Sequence, residues 1–174
     1  MPSRTGRHRI AAALLGLFVC VWAVLAGGRA SAQSLKPFTL KTLDGTLRSL
    51  SDVLGRATLV VFFYPTCKYC NLSFPELQRI YVTYRDRGLE MVWINVLPEE
   101  ERLIAAWRSE HGYTVPVLVG ATLRSLQNDY GIAMTPTHFL LDADGRVLWK
   151  HAGYKPGDEK TLVDRIEQAL GTRP

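Results

Sequence analysis

The hydrophobic period of this chain changes once within a few residues, and two cysteines sit at the change. Ala57 to Phe63, "ATLVVFF", is an unbroken run with the length and the β-branched, aromatic content of a buried strand. Beyond "YPTCKYC", Leu77, Ile80, Tyr81 and Tyr84 recur at i, i+3, i+4 and i+7, the spacing of one helical face. Cys67 and Cys70 are therefore predicted where a helix starts just after a strand. A pair this close has three readings: a structural staple, half of a metal site, or a redox centre. A disulfide between them closes a very short loop and removes little entropy from the unfolded chain, which argues against stapling. A closed zinc site takes about four ligands, and the sequence offers no second Cys-x-x-Cys and no His-x-x-x-His. Two thiolates can hold Cu(I), so a copper-binding chaperone stays open beside redox chemistry.

A dithiol means different things in reducing and oxidising surroundings, so the N-terminal segment matters. Arg4, Arg7 and Arg9 precede the apolar stretch Ile10 to Leu25, and Ala30-Ser31-Ala32 offers a small-x-small cleavage site before Gln33. Residues 1–32 are predicted to be an export signal and residues 33–174 one domain, periplasmic or otherwise exported. The alternative is an uncleaved membrane anchor, because Ile10 to Gly28 approaches the length that spans hydrocarbon. Cys20 follows Leu17-Phe18-Val19, too bulky for a good lipid-attachment site, and reads as one more apolar residue of the segment. Of the 21 Lys and Arg, four (Arg4, Arg7, Arg9, Arg29) lie in this segment with none of the 16 Asp and Glu, so the formal charge of +5 falls to +1 beyond it. The basic excess thus belongs to the targeting segment and lends no support to nucleic-acid binding. What remains is long enough for one domain with a sizeable core.

The punctuation of that remainder alternates elements. The leading segment "LKPFTLKTLDGTLRSLSDVLG" carries an Asp44-Gly45 turn between two short strands. After the cysteines and their helix, Leu89 to Leu97 is a second buried strand, and Pro98-Glu99-Glu100-Glu101 opens a helix with proline and acids where the dipole favours them. "VPVLVG" and a short helix ending near Tyr130-Gly131 follow. "THFLLD" and "RVLWKH" flank Asp142-Ala143-Asp144-Gly145 as an antiparallel hairpin, and Leu162, Val163, Ile166 and Leu170 line a last helix stopped by Gly171. A β-α-β-α order implies a parallel core, and the hairpin makes the sheet mixed.

This order, with its Cys-x-x-Cys between the first long strand and its helix, resembles the thioredoxin fold: α/β, a three-layer sandwich with a mixed central sheet flanked by helices. Pro75, five residues after Cys70, stands where thioredoxin-like proteins carry a helix-kinking proline, and Met134-Thr135-Pro136-Thr137 stands where they carry a cis-proline. The long leading segment, the export signal and the extra helix between Leu97 and Val117 resemble the TlpA/ResA branch of exported thiol-disulfide oxidoreductases.

The resemblance implies a redox-active Cys67–Cys70 disulfide with no other cofactor and no metal. Cys67, at the helix N-terminus, is the expected nucleophile, because unpaired N–H groups and the dipole stabilise its thiolate. Cys70 is the expected resolving thiol. Lys68 adds a cation and Tyr69 an aromatic contact, although both would face outward in any case. Thr135 would present its backbone to a client strand beside Pro136. His138 reads as a packed strand residue rather than a ligand, and His111 as a favourable charge at a helix C-terminus.

Two positions depart from the family pattern. Val61 stands where thioredoxins carry a buried acid, six residues before the first cysteine, and Ser73 stands where ResA-like proteins carry a glutamate. Glu76 is the nearest acid in sequence, but its spacing from Cys70 puts it off the same helical face, so the sequence assigns no side chain as proton acceptor for that thiol and leaves water open. The implied function is a dithiol reductant of client disulfides, of the cytochrome c or copper-site maturation type, recharged by a membrane thiol donor. A disulfide-donating oxidase is the alternative, since the dipeptide Lys68-Tyr69 does not fix the potential. Peroxidase action is disfavoured because peroxiredoxins space their proline, threonine and cysteine farther apart than Pro65-Thr66-Cys67.

Overall fold

The computed structural model describes residues 33–171; the predicted export signal over 1–32, with Cys20 and the cleavage site, lies outside them. The central strand is β3, Ala57–Phe63, buried at every position. Full burial of a strand requires cover on both sheet faces, and its side chains divide accordingly. Leu59, Val61 and Phe63 join one apolar cluster, while Val60 and Phe62 join another on the opposite face.

The other strands are β1 (Thr39–Thr42), β2 (Leu47–Ser49), β4 (Leu89–Asn95), β5 (Val117–Val119), β6 (Thr137–Asp142) and β7 (Val147–Ala152). The sheet order is β2-β1-β5-β4-β3-β6-β7. β3, β4 and β5 run parallel, with β1 and β6 antiparallel to their neighbours on either side. The mixed sheet expected from the sequence is therefore present, with the parallel part at its centre. Gly45 at φ +88° and Gly145 at φ +77° make the two predicted turns, in a region that favours glycine. In the second turn Asp142 Oδ1 accepts the N–H groups of Asp144 and Arg146, both at 2.9 Å.

The helices are α1 (Lys68–Tyr84), α2 (Glu101–His111), α3 (Leu123–Tyr130) and α4 (Asp158–Leu170). α1, α2 and α4 supply Phe74, Leu77, Ile80, Ile104, Trp107, Leu162 and Ile166 to the cluster below Val61 and Phe63. α3 supplies Leu126 to the other cluster, which gives three layers. Gly112, Gly131 and Gly171 end α2, α3 and α4 in left-handed conformation. No helix of the described residues is long and apolar enough to cross a membrane.

Two boundaries differ from the sequence reading. β4 ends at Asn95, not Leu97, because the Asn95 side chain donates to Leu97 O at 2.8 Å and turns the chain. Pro98–Glu100 is a 3₁₀ turn, and the α-helix begins one residue later.

Phe74 shows how tightly the cysteine-bearing helix is seated. It is fully buried, stacked on Trp93 at 4.3 Å and edge-on to Phe63 at 5.2 Å. Phe74→Ala should destabilise the protein by about 3–5 kcal/mol, read as a lower urea midpoint at unchanged slope; a loss under about 1 kcal/mol would mean that α1 is not anchored here.

Candidate active site

Cys67 is the N-cap of α1, and its Sγ accepts the N–H of Cys70 at 3.2 Å. The two cysteines form a disulfide, 4% and 0% exposed. The loop before the helix is tied down from three sides. Cys67 N–H donates to Tyr64 O at 3.1 Å. The Asn71 side chain donates to Pro65 O at 2.7 Å and to Cys67 O at 3.1 Å, and its Oδ1 accepts Trp107 Nε1 at 2.9 Å. Thr66 donates through N–H and hydroxyl to the Glu100 carboxylate at 2.9 and 2.5 Å. Asn71, Trp107 and Glu100 were not singled out in the sequence. Nothing in linear spacing joins the last two to Cys67; only the packing of α2 against α1 does.

The first turn of α1 carries no acid, and Lys68 opens it. Both features favour negative charge at Cys67. Lys68 and Tyr69 face solvent, with Tyr69 55% exposed, and Pro75 lies on the exposed side of an otherwise continuous α1.

Thr135 and Pro136 form the facing wall, and the peptide between them is cis. Thr135 Oγ1 donates toward Cys67 Sγ at 3.4 Å, and Thr135 O lies 3.8 Å from the same sulfur. The loop is held by the Thr137 hydroxyl on Met134 O and by Gly153 N–H on Pro136 O, both at 2.7 Å. Cys67, Cys70, Thr135 and Pro136 are thus brought together as the sequence suggested. Beside them Tyr64, Leu126, Ile132, Met134 and Thr135 line an open cleft of about 340 Å³.

Beneath the disulfide the two departures from family pattern are also placed. Val61 is packed in the core. Ser73 is buried, and its hydroxyl donates to Cys70 O at 2.9 Å. Glu76, set aside in the sequence on grounds of helical spacing, is half-buried, pairs with Arg79, and lines a cleft with Ser73 and His138. His138 is 4% exposed on β6. Burial, then the neighbouring His151, lowers its pKa to about 4, against smaller opposing effects of a hydrogen bond with the His151 backbone and of Asp158. His111 ends α2, its Nδ1 2.8 Å from Trp107 O and its ring stacked on Tyr113. Among the described residues no group of three or more His, Cys, Asp and Glu could hold a metal ion.

A disulfide of this spacing capping a helix that leaves the central strand of such a sheet, with a cis-proline loop against the first sulfur, defines a thiol-disulfide oxidoreductase of thioredoxin-like fold. The chain belongs to the AhpC/TSA family, which matches residues 32–150. Among relatives it is 30% identical over 128 residues to the thioredoxin-like protein YneN of Bacillus subtilis, covering 72% of this chain and 74% of that one. It is also 30% identical over 110 residues to the thiol-disulfide oxidoreductase ResA of Geobacillus thermodenitrificans, covering 63% of this chain and 62% of that relative's length. A solved thiol:disulfide interchange protein, a thioredoxin family protein of Chlorobium tepidum, superposes with a TM-score of 0.69 at 26% identity, over 83% of this chain and 100% of that one.

The buried imidazole makes stability depend on pH. Folded, His138 takes up its proton only near pH 4, whereas unfolded it does so near its ordinary 6.5. Between those values the unfolded chain holds the extra proton, so stability falls as pH drops from 6.5 towards 4. Urea unfolding of the oxidised protein across this range should show that fall, and His138→Gln should flatten it; an equal slope in both proteins would contradict the assignment.

Proposed function

We propose that this chain is an exported dithiol reductant of client disulfides. The single observation that supports this reading best is the disulfide at the N-terminus of α1 with Thr135 against Cys67 Sγ. The Cys67 thiolate attacks one sulfur of a client disulfide; the other client sulfur leaves with the electron pair and takes a proton from water. Cys70 then loses its proton and attacks Cys67 Sγ. The bond from Cys67 to the client breaks, the second client thiol is released, and two electrons have passed to the client. A membrane thiol donor restores the pair by the same exchange in reverse. The pair is itself the redox centre, so no further cofactor is invoked.

Lys68 favours the Cys67 thiolate, Tyr69 offers an exposed aromatic surface to the client, and Thr135 beside Pro136 offers main-chain groups to an extended segment. Pro75 shapes α1 behind the cysteines. Clients of the cytochrome c or copper-site maturation type fit the resemblance to ResA. Residues 1–32 serve as the export signal, consistent with a family match that begins at residue 32, and residues 33–174 form the exported domain, membrane-attached only if the segment is retained. Lys68 and the helix terminus favour the opposite direction, disulfide donation, because a stabilised thiolate makes the disulfide more oxidising.

Two measurements decide. In Cys70→Ser, mixed disulfides with client proteins should accumulate at Cys67 and disappear in the double variant; none forming would refute the assigned roles. Equilibration with glutathione buffers should give a potential nearer about −270 mV than about −120 mV. A value at the oxidising end would make the protein a disulfide donor.

A further inference from the structure

The proton on Cys70 has no evident acceptor at the two positions where the family pattern would put an acid, Val61 and Ser73. The sheet register puts another group beside the first of them. Val61 on β3 pairs with His138 on β6, and residues paired across an antiparallel ladder present their side chains on the same face. That face carries Cys70, Phe74 and Leu77 of α1. His138 is buried there, and its Nδ1 has no hydrogen-bond partner among the described residues. Leaving such a nitrogen unpaired costs about 1–3 kcal/mol, so a buried orphan of this kind calls for a reason.

The ring lines a cleft with about 20 Å³ of room, enough for one water. Ser73 lines the same cleft, one turn beyond Cys70 and bonded to its carbonyl. On the far side, His138 pairs with His151 on β7, the two ring centroids 6.0 Å apart. His151 Nε2 lies 2.9 Å from Asp158 Oδ2, and both side chains reach solvent. The titratable groups facing the cleft are Glu76 from α1, His151 from β7, Tyr154 from the following loop, and Asp158 and Glu159 from α4.

We propose that His138 accepts the Cys70 proton through the cleft it shares with Ser73, and that His151 and Asp158 pass that proton to solvent. The inference rests on the reading of Cys70 as the resolving thiol. In the mixed disulfide, Cys70 Sγ–H loses its proton through the Ser73 hydroxyl or one water to His138 Nδ1. The sulfur electron pair then forms the bond to Cys67 Sγ, and the Cys67–client bond breaks. The departing client thiolate takes a proton from water, and His138 returns its own to solvent by way of His151. With the disulfide closed, burial and the neighbouring His151 outweigh the pull of Asp158 and the imidazole stays neutral. A Cys70 thiolate adds a further negative charge only while it exists, so His138 works as a transient partner rather than a fixed ion pair.

The reduced full chain mixed with dithiobis(nitrobenzoate) separates the steps, since the first thionitrobenzoate released reports attack by Cys67 and the second reports resolution by Cys70. His138→Leu should slow the second release at pH 7 by about a hundredfold, the lower range for a lost general base, and leave the first within about twofold. The deficit should shrink as pH rises and solvent base takes over. His138→Gln keeps a polar side chain without a basic nitrogen and should behave like His138→Leu, while Asp158→Asn should slow the second release by a smaller factor. A second release with unchanged pH profile in His138→Leu, or restored by His138→Gln, would overturn the proposal. A first release that does not depend on Cys67 would instead overturn the reading of the site on which it rests.

Discussion

Burial of β3 on both faces is the constraint on which the rest of the structure depends. A strand covered on both sides cannot expose its backbone, so β4 and β6 must flank it along its length and helices must close over it above and below. The chain can leave such a strand only at its end, where α1 begins. The cysteines stand at that exit. They share a cluster with Val61, Phe63 and Phe74, so the redox pair is seated on the core and not on a loop. The rings of Phe63, Phe74, Trp93 and Trp107 then give the site a packed floor through mutual contacts of 4.3–6.1 Å.

Two opposing influences meet at Cys67. The helix terminus, the N–H of Cys70 and Lys68 stabilise negative charge on its sulfur. Its 4% exposure works against any charge there. The balance sets how oxidising the disulfide is, and the neighbours that tune it lie on separate elements: Thr135 before β6, and Glu100, which holds Thr66, just before α2. The Glu100 carboxylate, bonded to the residue before Cys67, places negative charge near the site and offsets part of what Lys68 supplies.

Most of the architecture was legible in the sequence because period and punctuation agreed: the β3 run, the i, i+3, i+4, i+7 face of α1, the Asp142–Gly145 turn and the Gly171 stop all match the observed elements. The juxtaposition of Cys67 with Thr135-Pro136 was legible only through resemblance, since 68 residues separate them. The grip of Asn71 and Trp107 on the active loop was not legible, because it depends on how α2 crosses α1. Helical spacing set Glu76 aside but could not show that the cleft beside Ser73 admits it. His138 reads as packed, which it is; that it shares a face with Val61 and leaves its Nδ1 without a partner among the described residues is visible only in the tertiary structure.

The separation between Cys67 and Thr135 has a consequence for the life of the chain before it is folded. Much of what distinguishes Cys67 from an ordinary cysteine arises from contacts formed after collapse, the Asn71–Trp107 clasp and the Thr135 wall 68 residues downstream. Long-range contacts of this kind close late, after their loop entropy has been met. In an unfolded chain the two thiols keep Lys68 as a neighbour but lack these contacts. The exchange behaviour of the pair therefore belongs in large part to the completed tertiary structure and is built only as the chain becomes native.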